Sequence, residues 1–131
     1  MNAKVKTALY WTATALAALA LGGSGFANLT RQPQVLEAVT GLGYPAYFTL
    51  ILGAWKVAGA ATFLIPRFPL LKEWAYAGAT FAMTGAFASH ILFGDSFGTA
   101  FPPLVILSFV LASYFLRPAD HRVQGAIAIA E

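Results

Sequence analysis

The chain has no cysteine, and that single absence removes disulfide frameworks, thiolate metal sites, iron-sulfur clusters and thiol-relay chemistry. Charge is nearly as scarce: 10% of the 131 residues are charged, against about 25% in an ordinary soluble domain. So few charges cannot cover the surface of a soluble core. The net charge of +3 comes from lysines and arginines scattered singly or in pairs, with no basic stripe and no interleaved aromatic platform, so no nucleic-acid partner is expected. Phosphate-loop, nucleophile-elbow and HExxH signatures are also missing.

What the chain does have is apolar length. Hydrophobic residues make up 59% of it, and a helix needs about 20 of them in succession to cross a bilayer. Four stretches meet that requirement, about 8–28, 44–65, 74–94 and 100–116. They are hydrophobic on all sides and interspersed with Gly, Ala, Ser and Thr, the composition of helices that pack against one another in lipid. The expected architecture is all-α: one membrane domain over 1–131, a bundle of four transmembrane helices running up-down-up-down because the connections are short. Pro33 followed by Val35, Leu36, Val39 and Leu42 predicts a short amphipathic helix in the longest connection. The tail 118–131 is too short to span and is expected to be loosely ordered.

Lys4 and Lys6 precede the first span, Arg67 and Lys72 separate the second and third, and Arg117 and Arg122 follow the fourth. Arg31 stands alone on the opposite side. This asymmetry predicts a multi-pass protein of the cytoplasmic membrane with both termini in the cytoplasm. The first span is expected to be retained, although Gly25-Phe26-Ala27 weakly resembles a signal-peptide cleavage site.

Polar residues inside a membrane are costly and therefore become candidate functional groups. Lys56 lies roughly 18 Å along its helix from Tyr44, near the bilayer centre and too deep to reach either surface. It must face the bundle interior. Thr14, Thr84 and Ser108 fall at comparable depths, so a ring of hydroxyls around the ammonium is expected. In the third span, Glu73, Tyr76, Thr80, Met83, Phe87, His90 and Gly94 recur at steps of three and four and share one face, which should point inward. The small residues Gly78, Ala82 and Ala86 form another face, suited to close contact with a neighbouring helix or a second subunit. His90 lies about 6 Å from the outer end and is the stripe's proton donor or acceptor, with Asp95 near enough to bond it. The bland alternatives are a lysine satisfied by hydroxyls and carbonyls and a histidine that merely packs. Lys56 and His90 stand about 12 Å apart along the axis, which calls for a ligand or water between them. No metal site is expected, since His90 and Asp95 are too few, and haem is disfavoured because His121 belongs to the opposite side.

Two segments carry a resemblance: GLGYPAYFTLILGAWKVAGAATFLIP and KEWAYAGATFAMTGAFASHILFGD. Their GYP, WK-x-x-G, KEWAYAG and SH-x-x-x-GD patterns together resemble the DoxX-like membrane proteins, over about Ala8 to Arg117. The resemblance implies a four-helix fold in the bacterial cytoplasmic membrane, with Tyr44, Pro45, Lys56, Gly59, Glu73, Tyr76, Gly78, His90 and Asp95 at its signature positions. Relatives in that family are linked to quinone-dependent sulfur oxidation and to membrane redox complexes. The leading expectation is therefore a bundle that binds a lipophilic ligand such as a quinone as part of a membrane redox system. Its candidate ligand-binding residues are Lys56, His90, Thr84, Tyr76, Met83, Ser108, Asp95 and Glu73. One alternative is a non-catalytic membrane partner or assembly factor, associated with another protein or with further copies of itself. Another is a small membrane enzyme using acid-base chemistry at Lys56 and His90. Whether the protein is an enzyme stays open at this point.

Overall fold

The computed structural model describes residues 1–123, which are helical with no strand among them. In chain order the helices are α1 (Ala3–Leu29), α2 (Pro33–Gly41), α3 (Phe48–Leu64), α4 (Pro69–Phe93), α5 (Phe97–Ala100) and α6 (Pro102–Leu116), followed by a 3-10 turn at Ala119–His121. Proline sets several boundaries. Pro33, Pro69 and Pro102 each open a helix, where the missing N–H costs nothing. Pro45 holds its neighbourhood out of the helix, so α3 begins at Phe48 and not at Tyr44, where the second span was expected to start. The carboxamide of Asn2 caps α1 by accepting from the Lys4 amide at 2.8 Å.

Helices α1 and α3 pack through glycine. Gly22 faces Ala60, Gly25 faces Lys56 and Gly53 faces Asn28, so the two run antiparallel. A Cβ on Gly25 would lie 2.8 Å from the Lys56 Cβ and 3.0 Å from the Gly53 carbonyl oxygen. A Cβ on Gly53 would lie 2.8 Å from the Gly25 carbonyl oxygen. Only glycine permits this approach, and the resulting backbone contact replaces the hydrophobic drive that lipid does not supply. Helix α4 runs antiparallel to α3, with Phe63 against Tyr76, and antiparallel to α6, with Tyr76 on Ser113 and Glu73 on Arg117. The apolar core lies where these helices meet, around Leu21, Phe63, Tyr76, Met83 and Val110.

Two helical stretches, Ala3–Leu29 and Phe97–Leu116, are long and apolar enough to cross a membrane, and Phe48–Leu64 is apolar but shorter. Large apolar side chains are exposed along each of the long helices α1, α3, α4 and α6. Leu92, Phe81, Leu19 and Trp55 are each at least 73% exposed. Water would tolerate a few such residues singly, whereas a continuous apolar coat marks a surface that meets lipid or another protein.

The structure bears on two further expectations. The tail was expected to be loosely ordered, yet the turn at Ala119–His121 is fixed to the bundle, because the buried His121 ring meets Tyr10 and Trp11. The remainder of that tail, 124–131, lies outside the described residues. Gly78 was expected in close contact with a neighbouring helix or a second subunit; within the chain a Cβ there would meet nothing within 4 Å, and the helix glycines that approach a neighbouring helix are Gly22, Gly25 and Gly53.

Candidate functional site

The Gly25–Gly53 crossing places Lys56 directly against α1. Its Nζ donates to Ser24 Oγ at 2.8 Å and to Asn28 Oδ1 at 3.1 Å. An ammonium has three N–H groups, so one donor remains after these two bonds. Ser24 and Asn28 stand one turn apart on α1 and flank Gly25. That pair of polar residues around a glycine in an apolar helix was the available signal, and sequence reasoning passed over it.

His90 is positioned by the end of its own helix. Gly94 adopts a left-handed conformation (φ 101°), which lets the Asp95 amide fold back and donate to the His90 carbonyl at 2.9 Å. The Asp95 carboxylate then takes Nδ1 of His90 at 2.7 Å. The local sequence H-x-x-x-G-D thus builds a carboxylate-oriented imidazole whose Nε2 stays available. Nearby, the Tyr44 hydroxyl bonds Ser89 Oγ at 2.7 Å and ties the α2–α3 connection to α4.

Lys56 and His90 line one open cavity of about 630 Å³. Ser24, Asn28, Gln34, Tyr44, Ser89 and Thr99 are its other polar lining residues, while Phe48, Leu52, Phe81, Met83 and Ile106 give apolar wall and Val35 and Val39 of α2 also line it. Carrying the Phe63–Tyr76 register along the antiparallel helices puts Lys56 level with Met83. That is seven residues, or about 10 Å, from His90. The two groups face a shared space without touching each other.

The other sequence candidates fall elsewhere. Thr84 is exposed and donates to the Thr80 carbonyl of its own helix at 2.8 Å; Ser108 does the same to Val105 at 2.6 Å. Thr14 bonds Ser113 at 2.6 Å. The expected ring of hydroxyls around Lys56 therefore does not form, because a Ser or Thr on an apolar helix finds its nearest acceptor one turn back on the same helix. Tyr76 and Glu73 belong to a second polar cluster at the opposite end of the bundle. There Tyr76 OH meets Ser113 Oγ at 2.7 Å, and Arg117 donates to Glu73 at 2.6 Å while its guanidinium lies over the rings of Tyr76 and Tyr114. Lys72, fully buried, donates to the Thr62 and Phe63 carbonyls and closes the end of α3. Tyr10 OH and Nδ1 of His121 share a hydrogen bond of 2.8 Å, and Nε2 lies 3.7 Å from the Asp120 carboxylate. Burial holds the His121 imidazole below its usual pKa. Sequence reasoning placed Glu73 and Tyr76 on the inward stripe with His90 and missed this cluster with Arg117 and Ser113. No group of three His, Asp or Glu able to hold a metal occurs among the described residues.

Comparison with curated proteins and with solved structures finds no match. A model of the DoxX-like family matches residues 12–113, a stretch that runs from α1 into α6 and takes in Lys56, His90 and Asp95. On that match, together with the apolar helices it covers, the chain belongs to the DoxX-like family of membrane proteins.

Proposed function

We propose that the protein crosses the cytoplasmic membrane four times, with both ends inside, and holds a lipophilic, oxygen-bearing ligand such as a quinone in the cavity between Lys56 and His90. The observation that carries this reading is that an ammonium with a donor left over and a carboxylate-oriented imidazole line the same cavity. Its volume of about 630 Å³ falls within the range of ordinary ligand pockets, roughly 300–1,000 Å³. A para-quinone bridging two hydrogen bonds spans about the axial distance between the two side chains.

The residues suit that head group chemically. The remaining N–H of Lys56 donates to one carbonyl oxygen. Asp95 holds Nδ1 of His90, which leaves Nε2 to bond an oxygen of the ligand. A bound quinone supplies the electron chemistry, and a chain without cysteine relies on a membrane partner to exchange electrons with it.

Purification in mild detergent, followed by absorbance and mass spectrometry of the extracted lipids, tests the assignment. The expected result is a quinone near equimolar with the wild-type chain and strongly depleted in Lys56→Met. Equal amounts in both proteins, or none in either, would overturn it. A stoichiometric protein partner without ligand would favour an assembly role instead.

A further inference from the structure

A second cavity, of about 380 Å³, opens between α3 and α4 on the outer face of the bundle. It shares Leu52, Lys56 and Ala82 with the larger cavity, so the two lie on either side of one short wall. Its floor carries Gly59 and Gly78, and a Cβ on either would meet nothing within 4 Å. Those small residues therefore leave room and do not serve helix contact, unlike Gly25 and Gly53. Trp55 and Trp74 flank the opening, 73% and 67% exposed. Lys56 contributes the cavity's charged group, at the end that adjoins the head-group site.

We infer that this groove seats the hydrocarbon tail of the same ligand whose polar head lies between Lys56 and His90. The inference rests on the head-group reading and narrows it: the ligand is an amphiphile with a long apolar tail, not a compact water-soluble carbonyl compound. The tail leaves the head site past Leu52 and Ala82 and runs between the two tryptophans. In a bilayer the tail gains no hydrophobic free energy by moving from lipid into the groove, since both are apolar; what it gains is packing against rings and helix backbone. Tail position, more than affinity, is therefore the decisive measurement.

Bromine quenches indole emission on contact, and two of the chain's three tryptophans line the groove. The full-length protein in detergent is titrated with a benzoquinone bearing a dibrominated decyl tail, and ring binding is measured separately by calorimetry with the tail-less benzoquinone. The expected result is a saturable loss of emission that excess unbrominated decylbenzoquinone reverses. In Trp55→Phe and Trp74→Phe the quenched share shrinks, and in Gly78→Leu, which fills the groove, quenching is lost while calorimetric binding of the tail-less ring persists. If the ring binds but the brominated tail leaves emission unchanged, or quenches Gly78→Leu equally, the tail seat is wrong and the head site stands. If neither compound binds, both assignments fall. Because the competition step uses the wild-type protein, the result does not depend on how well Gly78→Leu folds.

Discussion

One substitution, glycine to alanine, should have opposite effects at two pairs of positions. At Gly25 the new Cβ would sit 2.8 Å from the Lys56 Cβ and 3.0 Å from the Gly53 carbonyl oxygen; at Gly53 it would sit 2.8 Å from the Gly25 carbonyl oxygen. Real Cβ atoms do not approach backbone so closely, so α1 and α3 must move apart. Overpacking of that kind costs about 1–3 kcal/mol. At Gly59 and Gly78 the added methyl meets open space, and alanine gains roughly 0.5–1 kcal/mol over glycine in a helix interior. Thermal unfolding in a fixed detergent, followed by intrinsic fluorescence, should therefore show Gly25→Ala and Gly53→Ala melting below the wild type and Gly59→Ala and Gly78→Ala at or above it. Separation of α1 from α3 also pulls Ser24 and Asn28 away from Lys56, so Gly25→Ala should lower ligand occupancy as well. Equal destabilisation at all four positions would refute the reasoning, because glycine would then matter for reasons other than contact.

Three further outcomes follow from the polar clusters. Ser113→Ala takes a partner from both Thr14 and Tyr76 and should cost about 1–3 kcal/mol, more than Thr14→Val, which leaves Ser113 bonded to Tyr76; the double variant should cost less than the sum of the two, and strict additivity in the melting series would deny that the pair is coupled. Glu73→Ala leaves Arg117, 4% exposed, without its carboxylate and should be more damaging than Glu73→Gln, which keeps an acceptor oxygen; the reverse order in detergent unfolding would contradict the assigned pairing. Burial keeps the folded-state pKa of His121 below its ordinary value of 6.5, so above that pH the ring is neutral whether folded or unfolded and contributes nothing to pH dependence. As pH falls from there toward the lower folded value, the unfolded chain takes up the proton first and stability declines; His121→Asn should flatten that part of the profile, and an unchanged slope would exclude His121 as its source.

Helix positions were legible in the sequence because apolar length and proline placement are local. Side-chain partnerships were legible only where they were local too. His90 and Asp95 are five positions apart across a glycine turn, so their bond could be anticipated. Lys56 could be placed at depth but not given its partners, because Ser24 and Asn28 become neighbours only through the Gly25–Gly53 crossing, and periodicity does not report which helix faces meet. The same limit explains Tyr76 and Glu73, which share a stripe with His90 yet serve the other end of the bundle: a helix of 25 residues is about 40 Å long, and one face passes through more than one environment.

The two polar clusters differ in how fully their groups are satisfied, and that difference separates structure from function. At the end around Arg117, the guanidinium has a carboxylate, a carbonyl and two rings, and the hydroxyls of Thr14, Ser113, Tyr76 and Tyr10 have partners; Lys72 keeps one N–H beyond its two carbonyls, but it is enclosed and lines neither cavity. A network so closed stabilises helix contacts and offers a ligand little. Around Lys56 the matching stops short. The ammonium has two neutral acceptors and no carboxylate and lines both cavities, while His90 spends one nitrogen on Asp95. Groups left with bonding capacity in an apolar surround are tolerated only where something else completes them. That residue of unmet hydrogen bonding, located beside a cavity, is the reason to place the ligand at Lys56 and His90 and to treat the more conspicuous Arg117 cluster as the fastening that holds the helices around it.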